Sequence, residues 1–283
     1  MSERSGERHG DDGVQPALHS PWAAAPRERR PRSVAYRSLL DLDLDLAESL
    51  DRRMRPAARA AATALTFEAE AGDVALGDRL AACAPGPGVL VLDGVLALNV
   101  RVGDRIAAEL LGPGDLVEPG ATEGDDLLAV ATEWRGLQAT RYAMLDGDFA
   151  QRVLAWPQLT QALLRRGQRR ARNLNIQRAI ACQPRLEVRL ALLLWHLAAR
   201  WGRVEPSGIR LALPLTHQLL GRLIGAERPS VSHALGRLAR AGMVTGHGDE
   251  WHLHGAQDQL AGILDPAGRV RSFTGTAAAP GRA

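Results

Sequence analysis

The sequence predicts an α+β protein built in three successive parts, and three observations point to it. Short apolar segments cut by Gly, Pro and Asp turn signals fill residues 65 to 146. An apolar spacing at the helical period then runs from Asp148 to about Ile180, and two short amphipathic helices followed by a hairpin pattern close the chain near His254. With 283 residues, 46% of them apolar, there is material for two cores plus tails; at 4% aromatic content those cores must be aliphatic.

Residues 1–33 carry Gly, Pro, Ser and many charges without periodicity and are predicted to be a disordered leader. The run Leu40 to Leu46 alternates Leu with Asp, a strand period taken alone. The helix-friendly Ala47 to Ala64 follows it, so a short helical lead-in is expected, with acids at its N-terminal end where the helix dipole favours them. In the strand-rich part, Val89 to Leu92 and Val95 to Val102 flank Asp93-Gly94, which predicts a β-hairpin. Turns every eight to ten residues predict a small roll, barrel or sandwich over 34–147.

A long helix is expected within 148–182, with Pro157 either kinking it or marking its start. Its apolar stripe reads as a seam between two copies or as a face packed on its own chain; the seam is the favoured expectation. Leu186 to Trp201 forms a further apolar helix, Gly202 to Ile209 a loop, and Arg210 to Leu213 a short strand. Leu215 to Ile224 and Arg228 to Arg240 then read as two helices joined at Gly225. The second buries Val231, Ala234, Leu235 and Leu238 at i, i+3, i+4 and i+7. That leaves Arg228, Ser232, His233, Arg237 and Arg240 on surfaces that cannot all be core. Met243 to Thr245 and Trp251 to His254 close a hairpin, so 183–256 reads as a winged helix-turn-helix, followed by a frayed tail at 266–283.

Formal net charge is only +3, yet Arg165 to Arg240 is rich in arginine while Asp41 to Glu133 is rich in acids. A basic half joined to an acidic half fits a nucleic-acid module attached to something else, and arginine suits bidentate phosphate and guanine contacts; codon usage in a GC-rich genome accounts for the excess equally well. Cys83 and Cys182 stand alone, which offers neither a disulfide framework nor an iron–sulfur site and points to a reducing, cytoplasmic setting. No apolar stretch reaches eighteen residues, so no membrane partner is expected. His247, His252 and His254 sit close enough on the wing to consider a metal, and Glu123, Asp125 and Asp126 to consider calcium. A wing tip against phosphate is the favoured use of the histidines, and the acids fit no EF-hand spacing, so neither a metal nor another cofactor is expected. No Gly-x-Ser-x-Gly, P-loop, Gly-x-Gly-x-x-Gly or His-Glu-x-x-His motif occurs, and the chain does not read as an enzyme.

Taken in order and spacing, Arg189-Leu190-Ala191 through Ala198, Leu215 to Ile224, Arg228-Pro229-Ser230-Val231-Ser232-His233-Ala234-Leu235 and Gly242-Met243-Val244 resemble the Crp/Fnr family of bacterial transcription regulators. The likeness runs from about Ala71 to His254. It implies a cyclic-nucleotide-binding-like β-roll, a dimerisation helix, and a homodimer reading a twofold-symmetric operator in double-stranded DNA, with RNA polymerase as a further partner. It implies that Arg228 reads guanine, that His233 stands where many relatives carry a second arginine, and that Ser230 and Ser232 approach the DNA backbone. It likewise implies that Thr216 and His217 contact phosphate and that Arg237 contacts base or phosphate. Pro229 departs from the pattern, since proline cannot hydrogen-bond a base, so the operator should differ from the prototype's. The stretch after Gly114-Asp115 also departs: Glu118 stands near the ribose-binding place, but Ala121 to Val130 holds three acids and no basic residue, which repels a cyclic phosphate. Cyclic AMP binding in the usual way is therefore expected to be lost, and the effector is unknown.

Overall fold

The computed structural model describes residues 33–118, 130–247 and 249–254. The expected leader, the acids Glu123, Asp125 and Asp126, the side chain of His247 and the tail lie outside the described residues and side chains.

The chain begins with β1 (Ser33–Ser38), α1 (Leu39–Leu42), α2 (Leu44–Glu48) and α3 (Arg55–Ala61). The helical lead-in is therefore present but broken at Asp43, whose side chain caps α2 by accepting from Leu46 N at 3.0 Å. The strand-rich part follows as β2 (Thr63–Ala69), β3 (Gly72–Asp73), α4 (Gly77–Ala82), β4 (Gly88–Asp93), β5 (Leu96–Val102), β6 (Arg105–Leu111), β7 (Leu116–Val117), β8 (Val130–Gly136) and β9 (Thr140–Leu145). Two antiparallel sheets result, ordered β1-β2-β9-β4-β7 and β3-β8-β5-β6. Strand alternation distributes one sequence over three cores. Val89 and Val91 face inward with Leu96, Leu98, Trp134 and Tyr142, whereas Leu90 and Leu92 point outward to the N-terminal helices. On the other sheet, Val95, Ala97, Ala108 and Leu110 point outward into the C-terminal half.

The hairpin expected at Asp93-Gly94 does not form. β4 pairs with β9 and β7, β5 pairs with β6 and β8, and Asp93-Gly94 is the corner where the chain leaves one sheet for the other. Gly94 has φ +79, and a Cβ there would lie 2.3 Å from the Ala139 carbonyl oxygen, so the glycine serves a close crossing of backbones. The tight hairpin is instead β5–β6, across Gly103-Asp104.

The second half opens with α5 (Gly147–Val153), capped by Asp146, which accepts from Phe149 N at 2.8 Å. Next come α6 (Pro157–Ala181) and α7 (Leu186–Trp201). Pro157 occupies the first turn of α6, where its missing N–H costs nothing, so it marks a start and not a kink. Inward-facing Leu159, Leu163 and Ile180 pack α6 on its own chain, and Arg166 makes a buried ion pair with Asp43 at 2.7 Å.

β10 (Arg203–Glu205) and β11 (Gly208–Leu211) form a hairpin where Gly202 to Ile209 was expected as a loop. Then come α8 (His217–Ile224), α9 (Arg228–Arg240), β12 (Val244–His247) and β13 (Glu250–Leu253). The wing is therefore a four-stranded sheet, β10-β11-β13-β12, and not a two-stranded ribbon. Val204 is exposed in β10, so that strand carries no apolar stripe to betray it.

On α7, His196 is held below its ordinary pKa of 6.5, first by burial and then by the charge of Arg200 one turn on. The unfolded chain therefore binds the proton more readily, and stability should hold above about pH 6.5 and decline as the pH falls below it. Thermal melts across that range should show the decline for the wild type and a shallower one for His196→Gln.

Candidate nucleic-acid interface

Thr216 opens α8 by accepting from Leu219 N at 3.1 Å, as its place before an apolar run requires. The helix ends at Gly225, and α9 starts three residues later. Leu219, Leu220, Leu223 and Ile224 of α8 and Val231, Ala234, Leu235 and Leu238 of α9 are buried together with α7, which fixes the outward face of α9 by elimination.

That face carries Arg228, Ser230, Ser232 and His233, all exposed. Thr216 is exposed and His217 half-buried at the edge of the same surface. His217 Nδ1 lies 2.7 Å from Ser232 Oγ, and Ser232 Oγ donates to the Arg228 carbonyl at 3.1 Å. With the hydroxyl proton so directed, the contact needs its proton on Nδ1 of His217. The sequence-predicted residues of the two helices thus meet. Arg237 stands apart: its Nε makes an ion pair with Glu187 of α7, which ties α9 to the helix beneath it. That partner is fifty residues away and left no local signal.

On the wing, Arg210 sits between Glu205 at 2.8 Å and Glu250 at 3.2 Å, and hydrogen bonds to these two carboxylates raise its pKa. His252 Nε2 is 3.5 Å from Glu250. Both ring nitrogens of His254 are taken, by Thr245 Oγ1 at 2.8 Å and the Ser207 carbonyl at 3.2 Å. Among the described residues, no three His, Cys, Asp or Glu side chains come together as a metal set.

The interface is mounted on the strand-rich half. Gln177 of α6 donates both to the Ala108 carbonyl of β6 at 2.7 Å and to the Leu223 carbonyl of α8 at 3.0 Å. Arg222 of α8 donates to Asn99 of β5 at 3.2 Å, and Arg105 at the β5–β6 hairpin meets Glu227 at 2.8 Å. Sequence reasoning missed all of these ties. A cleft of about 1310 Å³ lies between the hairpin, α6 and the α8–α9 turn.

The two sheets enclose an apolar core. Phe67 and Tyr142 stack at 5.4 Å, Arg79 lies over Phe67 at 4.8 Å and donates to Tyr142 Oη at 2.6 Å, and burial pushes the Cys83 thiol up to about 11. Asp115 is buried, accepting from Gly112 N at 2.8 Å and from Arg200 Nη2 at 2.5 Å. Gly114, at φ +81, is clasped by α6: a Cβ there would lie 2.5 Å from Arg166 Nη1 and 2.6 Å from Arg169 Nη2. The Glu118 carboxylate points toward α6 beside Gly167.

A family model described as a Crp-like helix-turn-helix domain matches residues 188–255. No curated protein matches the chain. Among solved structures, FixK2 from Bradyrhizobium japonicum is 16% identical, with 73% of this chain and 99% of that one covered at a TM-score of 0.54. The c-di-GMP-responsive global regulator CLP from Xanthomonas campestris is 17% identical, with 76% and 100% covered at a TM-score of 0.52. A cyclic nucleotide-binding domain containing protein from Listeria monocytogenes is 13% identical, with 67% and 88% covered at 0.54. At these identities the likeness is one of fold. Residues 188–255 are thus similar to a Crp-like helix-turn-helix domain, and the paired sheets, long helix and helix-turn-helix together share the fold of FixK2 and CLP.

Proposed function

We propose that this chain is a DNA-binding transcription regulator of the Crp/Fnr type that acts as a homodimer on a twofold-symmetric DNA operator, reading it with Arg228 and His233 and gripping its backbone with Thr216, His217, Ser230 and Ser232. The observation that carries the reading is the outward face of α9, polar and cationic over a fully buried apolar face. Arg237, half committed to Glu187, serves as a lesser phosphate contact. The dimer reading is supported by α6, a 25-residue helix that leaves Leu164, Leu174 and Ile176 exposed. Two copies joined there would set two reading helices against successive major grooves. RNA polymerase, met beside the operator, is the further partner of this reading.

Cyclic AMP in the usual mode is not the effector in this reading. The commitment of Asp115 to Arg200 and the turn of Glu118 toward α6 favour that conclusion. The apolar core packed between the sheets favours a second reading, in which the sheets are a scaffold and the dimer needs no effector.

Selection from a random duplex pool with the full chain tests the first reading. It should enrich an inverted repeat with half-sites about 10–11 base pairs apart. Affinity for the recovered duplex should fall by about three orders of magnitude between 50 and 200 mM salt. Absent enrichment, or affinity indifferent to salt, would refute it.

A further inference from the structure

Glu227 is an odd residue for its place. It is the N-cap of α9, immediately before Arg228, yet its carboxylate makes no cap on the helix. It reaches instead across 122 residues of sequence to Arg105, on the hairpin of the sensor sheet, at 2.8 Å. Both side chains are about three-quarters exposed, at 76% and 75%, so burial does not force the pairing.

The alternative partner of that carboxylate can be named. An N-cap side chain accepts from the N–H of the second or third helical residue. Here the second is Pro229, which has none, so the Ser230 N–H is the one donor within reach. It is also the N–H that a DNA phosphate at the end of α9 would use. A carboxylate seated there would fill the donor with its own negative charge, one residue from Arg228.

We infer that Arg105 is a positioning residue for DNA binding, which holds Glu227 off the N-terminus of α9 so that the Ser230 N–H stays open to phosphate. The sensor sheet thereby controls the reading helix directly: a shift of the hairpin that breaks the 2.8 Å contact hands Glu227 to α9 and closes the site. The hairpin is the right lever, because β5 and β6 also carry Asn99 and Ala108, the anchors of Arg222 and Gln177. This inference rests on the reading above that α9 meets DNA.

Anisotropy with the full chain and the selected duplex tests it. Arg105→Ala should weaken binding about five- to tenfold, more than the loss of one exposed ion pair accounts for. Glu227→Gln alone should bind at least as tightly as wild type, and Arg105→Ala combined with Glu227→Gln should return to within about twofold of it, with melting temperatures unchanged throughout. If Arg105→Ala binds like wild type, or the double variant stays as weak as Arg105→Ala because Arg105 itself contacts DNA, the inference is overturned. A wild type that binds no duplex sinks the regulator reading as well; a wild type that binds while Arg105→Ala is silent sinks this inference alone.

Discussion

Replacing Asp115 with alanine is expected to cost about 2–4 kcal/mol of folding stability, the largest single loss we anticipate outside the aliphatic cores. The carboxylate is almost wholly buried and has two partners, the Gly112 N–H and the Arg200 guanidinium. Removing it strands a donor and a cation at the joint between β6, β7 and α7. Arg200 also donates to the Leu110 carbonyl at 3.2 Å and lies 4.1 Å over the Trp201 ring, which softens the loss and sets the lower end of the range. Asp115→Asn keeps an acceptor for Gly112 and gives up the charge, so it should cost less. Denaturant midpoints of the three proteins should rank wild type above Asp115→Asn above Asp115→Ala. An alanine variant within about 1 kcal/mol of wild type would show that the pair contributes little against the desolvation it demands.

Arg228→Ala should reduce affinity for the selected duplex about 10- to 100-fold, while affinity for random duplex falls only a few-fold. Arg228 sits in the first turn of α9, exposed, with Pro229 after it fixing the backbone and offering no donor that could substitute. A bidentate guanidinium on guanine carries base identity, whereas a phosphate contact carries none. Repeating the selection with the variant should therefore relax preference at one position in each half-site. Equal losses on selected and random duplex would assign Arg228 to the backbone and move the base-reading role toward His233.

What the sequence made legible followed the range of the forces involved. α7, α8 and α9 were readable because each buries a stripe at the helical period, and Val231, Ala234, Leu235 and Leu238 alone fix which way α9 faces. Strand pairing was not readable in the same way. Asp93-Gly94 carries the local chemistry of a hairpin, but β4 finds its partner in β9, fifty residues on, because its two faces are claimed by two different cores. β1 went unread because Val34 and Tyr36 are exposed, leaving no apolar face to signal an edge strand. At the candidate interface, the residues on α8 and α9 were legible, while Arg105, Gln177, Arg222 and the Glu187 partner of Arg237 were not. Each of these acts through a contact that exists only once distant segments are folded together.

Val95, Ala97, Ala108 and Leu110 share one apolar cluster with α7, α8 and α9. The helix-turn-helix part is consequently not a module that can be lifted from this chain and grafted elsewhere. Cut away, it would show water the leucines that now rest on the sheet, and the sheet would bare its own valine and alanines in return. Any lineage that exchanged this part for another would have had to change both sides of the seam together.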